Sequence, residues 1–164
     1  MNTQLYTFKK IFDSHLEVGE GDKKEILHIR QIEIPRIQRD YAQGRETADV
    51  KKVRARFLGA LKKALATNCS LTLDFVYGDV EDTALVPLDG QQRLTTLFLL
   101  HWYAARKCSV DFEEYGFLSR FSYSVRFSAR DFCKALVKNI MDVEDGCISE
   151  QLKDKAWFPM EWKN

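Results

Sequence analysis

The chain lacks the marks of several large protein classes. No apolar run approaches the ~20 residues needed to span a membrane, and the polar N-terminus carries no signal-peptide core. A cytoplasmic protein without membrane segments is therefore the expectation. Net charge is almost absent too, because 25 Lys plus Arg stand against 24 Asp plus Glu, leaving +1. Any nucleic-acid site has to be a local patch rather than a global basic field. The four cysteines, Cys69, Cys108, Cys133 and Cys147, form no C-x-x-C pair, and His15, His28 and His101 fall in no metal spacing. That speaks against a zinc or disulfide scaffold and for buried or free thiols. There is no G-x-x-x-x-G-K-[ST] stretch, hence no P-loop. Internal repeats and low-complexity tracts are missing as well.

What is present is one domain's worth of ordinary globular chain: 164 residues, 45% apolar and 30% charged, enough to bury a core. Its organising stretch is Pro87-Leu88-Asp89-Gly90-Gln91-Gln92-Arg93-Leu94-Thr95-Thr96-Leu97. An apolar strand-like run, Thr83 to Leu88, ends in Asp89-Gly90, and a helical run from Gln91 to Lys107 starts at once. A strand turning on glycine into a helix gathers free backbone N–H groups at the positive end of the helix dipole, which is an anion site in waiting. Gln91, Gln92 and Arg93 add donors suited to phosphate oxygens or a base edge. The plain alternative is a strand–helix corner whose polar residues face water.

A second notable stretch runs from Ile34 to Arg45, where three arginines, two glutamines and Tyr41 crowd twelve residues after a strand. Such a loop is dense in phosphate- and base-capable donors beside one stacking ring, although arginines in loops are usually just solvated.

Around these two stretches, the spacing of Leu5, Phe8, Ile11 and Phe12 predicts a helix over 5–16, and the β-branched run Glu25 to Pro35 predicts one strand that includes His28. Glu46 to Thr67 reads as a helix with Val50, Val53, Phe57, Leu61 and Leu65 on one face and most of its Lys and Arg off it. That basic face either meets nucleic acid or is simply solvated. Leu71 to Tyr77 and Thr83 to Leu88 read as a hairpin around an acidic turn, Gly78 to Asp82. The helix from Gln91 is apolar nearly all round, so it belongs in the middle of the fold, with His101 as a packed helix residue. Beyond it, Asp111 to Leu118 suits a short helix and Phe121 to Phe127 a strand. A helix then starts with Ser128 as its N-cap, and another covers Ile148 to Trp157. Two tryptophans and a phenylalanine in the last eight residues read as the point where a longer protein continues.

Together, Ile34-Pro35-x-x-Gln38-Arg39-x-Tyr41 and Asp89-Gly90-Gln91-Gln92-Arg93-Leu94-Thr95-Thr96-Leu97 resemble the paired signature of the N-terminal domain of GmrSD-type restriction systems and their GmrS- and SspE-like relatives. Tyr123 to Phe132 is similar to the segment that follows in that family, and the chain has Gln43 where relatives often carry tryptophan. The resemblance implies an α+β fold with a ParB/sulfiredoxin-like mixed sheet and packed helices. It divides the chain into a nucleotide-binding core, 1–107, and the start of a helical region, 108–164. It further implies that the D-G-Q-Q-R turn binds nucleotide phosphates and supports NTP hydrolysis, with GTP, UTP, CTP and ATP all open, and that magnesium takes part. Under it, Gln38, Arg39, Tyr41, Gly90 and Arg93 bind nucleotide, while Asp89, Gln91, Gln92 and Arg93 serve hydrolysis.

Physical roles follow from residue type. Gly90 permits the tight turn, Arg93 and Arg39 neutralise phosphate charge, Gln91 or Gln92 orients a water, and Asp89 holds a magnesium ion directly or through water. The resemblance also implies partners: modified DNA, and an HNH-type nuclease in the same chain or a separate one, since these residues contain no HNH motif. A regulatory NTPase domain of a modification-dependent restriction protein is the leading expectation. The alternative is a DNA-binding module that senses modified DNA without hydrolysing nucleotide. A metal-dependent nuclease centred on Asp89 is a third, set back by the single well-placed carboxylate.

Overall fold

The computed structural model describes residues 4–18, 25–35, 47–124 and 127–160. Its frame is a four-stranded mixed sheet of order β4-β5-β3-β6, formed by β3 (Gln31–Ile34), β4 (Tyr77–Glu81), β5 (Ala84–Asp89) and β6 (Phe121–Tyr123). β3 lies in the middle, parallel to both β5 and β6, while β4 and β5 form an antiparallel hairpin. A separate antiparallel pair joins β1 (Ser14–Val18) to β2 (Glu25–Ile29). Helices α1 (Phe8–Ile11), α2 (Ala48–Thr67), α3 (Gln91–Lys107), α4 (Phe112–Tyr115), α5 (Phe127–Lys138) and α6 (Ile148–Lys153) complete an α+β fold, with a 3-10 turn over Gly116–Arg120.

The core sits where α3 meets the sheet. Leu94, Phe98, Trp102 and Ala105 recur at helical spacing and are buried against Ile32 and Ile34 of β3, Phe121 of β6 and Leu136 and Val137 of α5. The Phe98 ring stacks on Phe121 with centroids 4.6 Å apart, and Trp102 Nε1 donates to the Leu136 carbonyl at 2.8 Å, which ties α3 to α5. α3 is not covered all round, however: Leu99 and Ala104 reach solvent. His101 is held by its own helix, with Nδ1 2.8 Å from the Leu97 carbonyl and its ring against Phe8.

Several local expectations give way to long-range pairing. The helix over 5–16 shrinks to four residues, capped by Thr7, because Ser14–Val18 is taken up by the ladder with β2. The run Glu25 to Pro35 breaks at Arg30 into β2 and β3, which belong to different sheets, with the N–H groups of Arg30 and Gln31 both donating to the Thr83 carbonyl. Residues 71–76 carry no strand. The hairpin occupies Tyr77–Glu81 instead and turns at Asp82 and Thr83. Tyr77 already faces Asp89, the last residue of β5, so residues before it have no partner to pair with. Ser128 lies inside α5 rather than capping it, since the helix begins at Phe127. No helix among the described residues is long and apolar enough to cross a membrane.

Candidate functional site

β5 delivers the chain to Asp89, and Gly90 reverses it with φ 85° and ψ 2°, in the left-handed region. α3 then starts at once, its first backbone bond running from Leu94 N–H to the Gly90 carbonyl at 3.0 Å. The N–H groups of Gln91, Gln92 and Arg93 are therefore outside the helix's own ladder, at the positive end of its dipole. Glycine is required here for two reasons. The backbone conformation strains any L side chain, and a Cβ would stand 2.6 Å from Val76 Cγ2 and 3.3 Å from Arg93 Nη2. The turn rests on buried residues, with Leu94, Thr95, Thr96 and Phe98 all packed inside.

The first-turn side chains are tied down. Gln91 Nε2 donates to the Pro87 carbonyl at 2.8 Å. Arg93 Nη2 donates to the Phe75 carbonyl at 2.8 Å and to Asp89 Oδ2 at 3.2 Å, so one arginine fastens residues 69–76 to the turn. Its Nε is buried and has no hydrogen-bond partner among the described residues. A charged donor left without an acceptor is costly, and it marks where an anion or carbonyl would be stabilised. Asp89, with its side chain half exposed, is engaged by Arg93 across one helical turn.

Two residues of the signature to which the sequence assigned no role also belong to this site. Thr95 donates from Oγ1 to the Gln91 carbonyl at 2.9 Å, and the same oxygen lies 3.0 Å from the Tyr123 hydroxyl at the end of β6. Thr96 makes the matching bond to the Gln92 carbonyl at 2.8 Å. The available signal was the i+4 spacing of Thr95 and Thr96 from the two glutamines, which lets a threonine hydroxyl reach back one turn.

The sheet brings the carboxyl ends of three strands to one edge. Ile34 of β3 pairs with Tyr123 of β6, the Ser124 N–H donates to the Ile34 carbonyl at 2.9 Å, and β3 runs parallel to β5, which ends at Asp89. The chain leaving β3 through Pro35 thus departs from the edge that carries Gly90. Ligands of open α/β sheets bind at such edges, outside the carboxyl ends of parallel strands. Gln38, Arg39 and Tyr41 lie outside the described residues.

Metal ligation finds little support beyond Asp89. Among the described residues no group of three or more His, Cys, Asp or Glu side chains is placed to hold a metal ion. His15 and His28 face each other across β1 and β2 with ring centroids 6.4 Å apart, as a pair only.

Compared with known proteins, residues 22–158 match the family model described as GmrSD restriction endonuclease, N-terminal domain. No curated protein and no solved structure matches the chain.

Proposed function

The chain belongs to the family of GmrSD restriction endonuclease N-terminal domains, and on that premise we propose that its Asp89–Arg93 turn binds the phosphates of a nucleoside triphosphate and supports their hydrolysis. Family membership sets the chain among restriction and phage-defence proteins. The observation that carries the finer reading is the left-handed Gly90 turn at the carboxyl end of β5, beside an arginine whose Nε has no acceptor among the described residues. Phosphate oxygens at the positive end of the α3 dipole supply the acceptor that Arg93 Nε calls for. Gln92 and Gln91 sit in the same turn, where an amide orients a water for attack on the terminal phosphate. Gln38, Arg39 and Tyr41, which follow β3 in the sequence, would add hydrogen bonds, charge and a stacking ring.

Among the described residues, the turn fits magnesium through one carboxylate. Asp89 supplies a single carboxylate, which suits an ion held mostly by water and the substrate's own phosphates rather than a protein cage. When bound, magnesium would neutralise phosphate charge. In the system as a whole, this domain senses nucleotide, while an HNH-type nuclease in the same chain or a partner cuts modified DNA.

Calorimetric titration with ATP, GTP, CTP and UTP in the presence of magnesium tests the reading. One nucleotide should bind, and Arg93→Ala should weaken it by about tenfold to a hundredfold, the worth of a charge-assisted hydrogen bond of roughly 1.5–3 kcal/mol. Affinity unchanged in both Arg93→Ala and Asp89→Ala would overturn it.

A further inference from the structure

At its far end, away from the glycine turn, α3 closes on a sharp reversal. Ser109 stands in the left-handed region at φ 49°, and Val110 N–H donates to the Ala105 carbonyl at 2.9 Å. The reversal lets α4 set Tyr115 against Arg106, in the last turn of α3. Arg106 is 8% exposed. Its guanidinium carbon lies 4.3 Å from the centroid of the Tyr115 ring, and Nη2 donates to the Tyr115 hydroxyl. That partner is neutral. No carboxylate among the described residues comes within ion-pair distance of the guanidinium, and Nε is buried with no hydrogen-bond partner. An arginine cannot shed its charge, so burying one without a counter-ion is costly. Burial holds its pKa below the usual arginine value, and the charge of Asp142 offsets part of that shift.

A cavity of about 200 Å³ opens beside this cation, walled by the reversal, by α4 and by the segment that follows α5. It has room for about seven water-sized groups, which suits a small molecule and not a nucleotide. Val110, Phe112 and Met141 give it apolar walls, while Asp111 and Asp142 add two exposed carboxylates. Neither carboxylate makes a hydrogen bond or ion pair among the described residues, and Asp111 does not cap α4.

These three charges narrow the ligand. Phosphate or another dianion would meet two carboxylates as well as the arginine, and a plain cation would meet the arginine. A molecule with one carboxylate and one ammonium answers both signs, and the apolar walls suit an aliphatic body.

We propose that the cavity beside Arg106 binds a small aliphatic zwitterion of the α-amino acid kind. Its carboxylate pairs with Arg106, its ammonium faces Asp111 and Asp142, and its side chain lies against Val110, Phe112 and Met141. None of these residues belongs to the Asp89–Arg93 turn, so this site and the nucleotide reading stand or fall separately.

The test titrates the full chain calorimetrically with L-leucine at millimolar concentration. Beside it run 4-methylpentanoate, which lacks the ammonium, isoamylamine, which lacks the carboxylate, and inorganic phosphate. Leucine should bind, and each of the other three should bind about tenfold more weakly or worse. Asp111→Asn/Asp142→Asn should weaken leucine about tenfold and leave 4-methylpentanoate at least as tight as in the parent. Both positions are exposed, so circular dichroism should show the fold unchanged. Arg106→Gln should abolish binding of leucine and 4-methylpentanoate alike; if this buried substitution prevents folding, the aspartate variant decides. The proposal is overturned if leucine fails to bind, if it binds the aspartate variant as tightly as the parent, or if isoamylamine or phosphate matches it. Equal binding of 4-methylpentanoate and leucine would also overturn it, leaving Arg106 as a site for a carboxylate alone.

Discussion

Replacing Gly90 with alanine should destabilise the fold by an amount that its surroundings set. At φ 85° and ψ 2° an L-residue stands in the left-handed region, which costs roughly 1–2 kcal/mol. The new Cβ would stand 2.6 Å from Val76 Cγ2, so something has to move, and overpacking of this kind costs roughly 1–3 kcal/mol. Val76 ends the unpaired stretch 69–76 and can give way, which argues for the lower half of that range. The sum is a loss of about 2–4 kcal/mol, or about 5–15 °C in Tm for a chain of this size. Two further variants separate the contributions. Gly90→Asn tolerates the left-handed backbone but keeps the Cβ, so it should fall between glycine and alanine. Combining Gly90→Ala with Val76→Ala removes the 2.6 Å contact and leaves only Val76 Cβ at 3.2 Å and Arg93 Nη2 at 3.3 Å, so the double-mutant cycle should show a favourable coupling of about 1 kcal/mol. Urea denaturation of the four cycle members and Gly90→Asn supplies the numbers. The reasoning fails if Gly90→Ala lies within about 0.5 kcal/mol of the parent, or if the cycle shows no coupling.

Phe98→Ala, which empties a fully buried site and unstacks Phe121, should cost about 3–5 kcal/mol in the same urea assay. A loss under about 1.5 kcal/mol would mean that the α3–sheet contact is not the centre of the core. In a thiol-reagent assay on the folded protein, exposed Cys69, Cys108 and Cys147 should react while Cys133 reacts only after unfolding, because burial pushes its thiol up to about 12. Cys147 should react fastest of the three, its pKa lowered by the Ser149 hydroxyl and the N–H groups of the following helix; equal rates in a Ser149→Ala variant would contradict this. The bidentate Arg120 guanidinium, 2.9 Å and 3.3 Å from the two Asp13 oxygens, holds that carboxyl below the usual carboxylate range. A lowered folded pKa contributes stability above the unfolded value and loses it as pH falls through the folded value. Asp13→Asn should therefore flatten the acid end of the stability–pH curve, and identical curves for variant and parent would refute the assignment.

How much of this was legible in the amino-acid order depended on how far apart the interacting residues lie. α3 and its start at Gln91 could be read directly, because helix periodicity and the left-handed preference of glycine act within one or two turns of chain. The turn at Asp89–Gly90 followed for the same reason, and so did α2 with its offset apolar and basic faces. The threonine bonds to the Gln91 and Gln92 carbonyls were within local reach but went unread, because i,i+4 spacing permits such a bond without saying that the hydroxyl turns back to make it.

Only tertiary structure decided the rest. Leu71–Val76 has the composition of a strand, yet β5 ends opposite Tyr77 and leaves it nothing to pair with. Glu25–Pro35 looks like one strand, yet it feeds two sheets that meet at Arg30. The placing of Tyr123 against Thr95, and of Pro35 at the edge that carries Gly90, rests on parallel pairing of β3 with β5 and β6. The cavity beside Arg106 is likewise invisible to periodicity, which puts Arg106 on α3 but does not bring Tyr115 and Asp142 to it. Backbone preference and side-chain spacing belong to neighbours in sequence, so the chain alone determined α2, α3 and the glycine turn between β5 and α3. Strand partners and covered faces depend on segments tens of residues apart, and only the folded molecule brings those together.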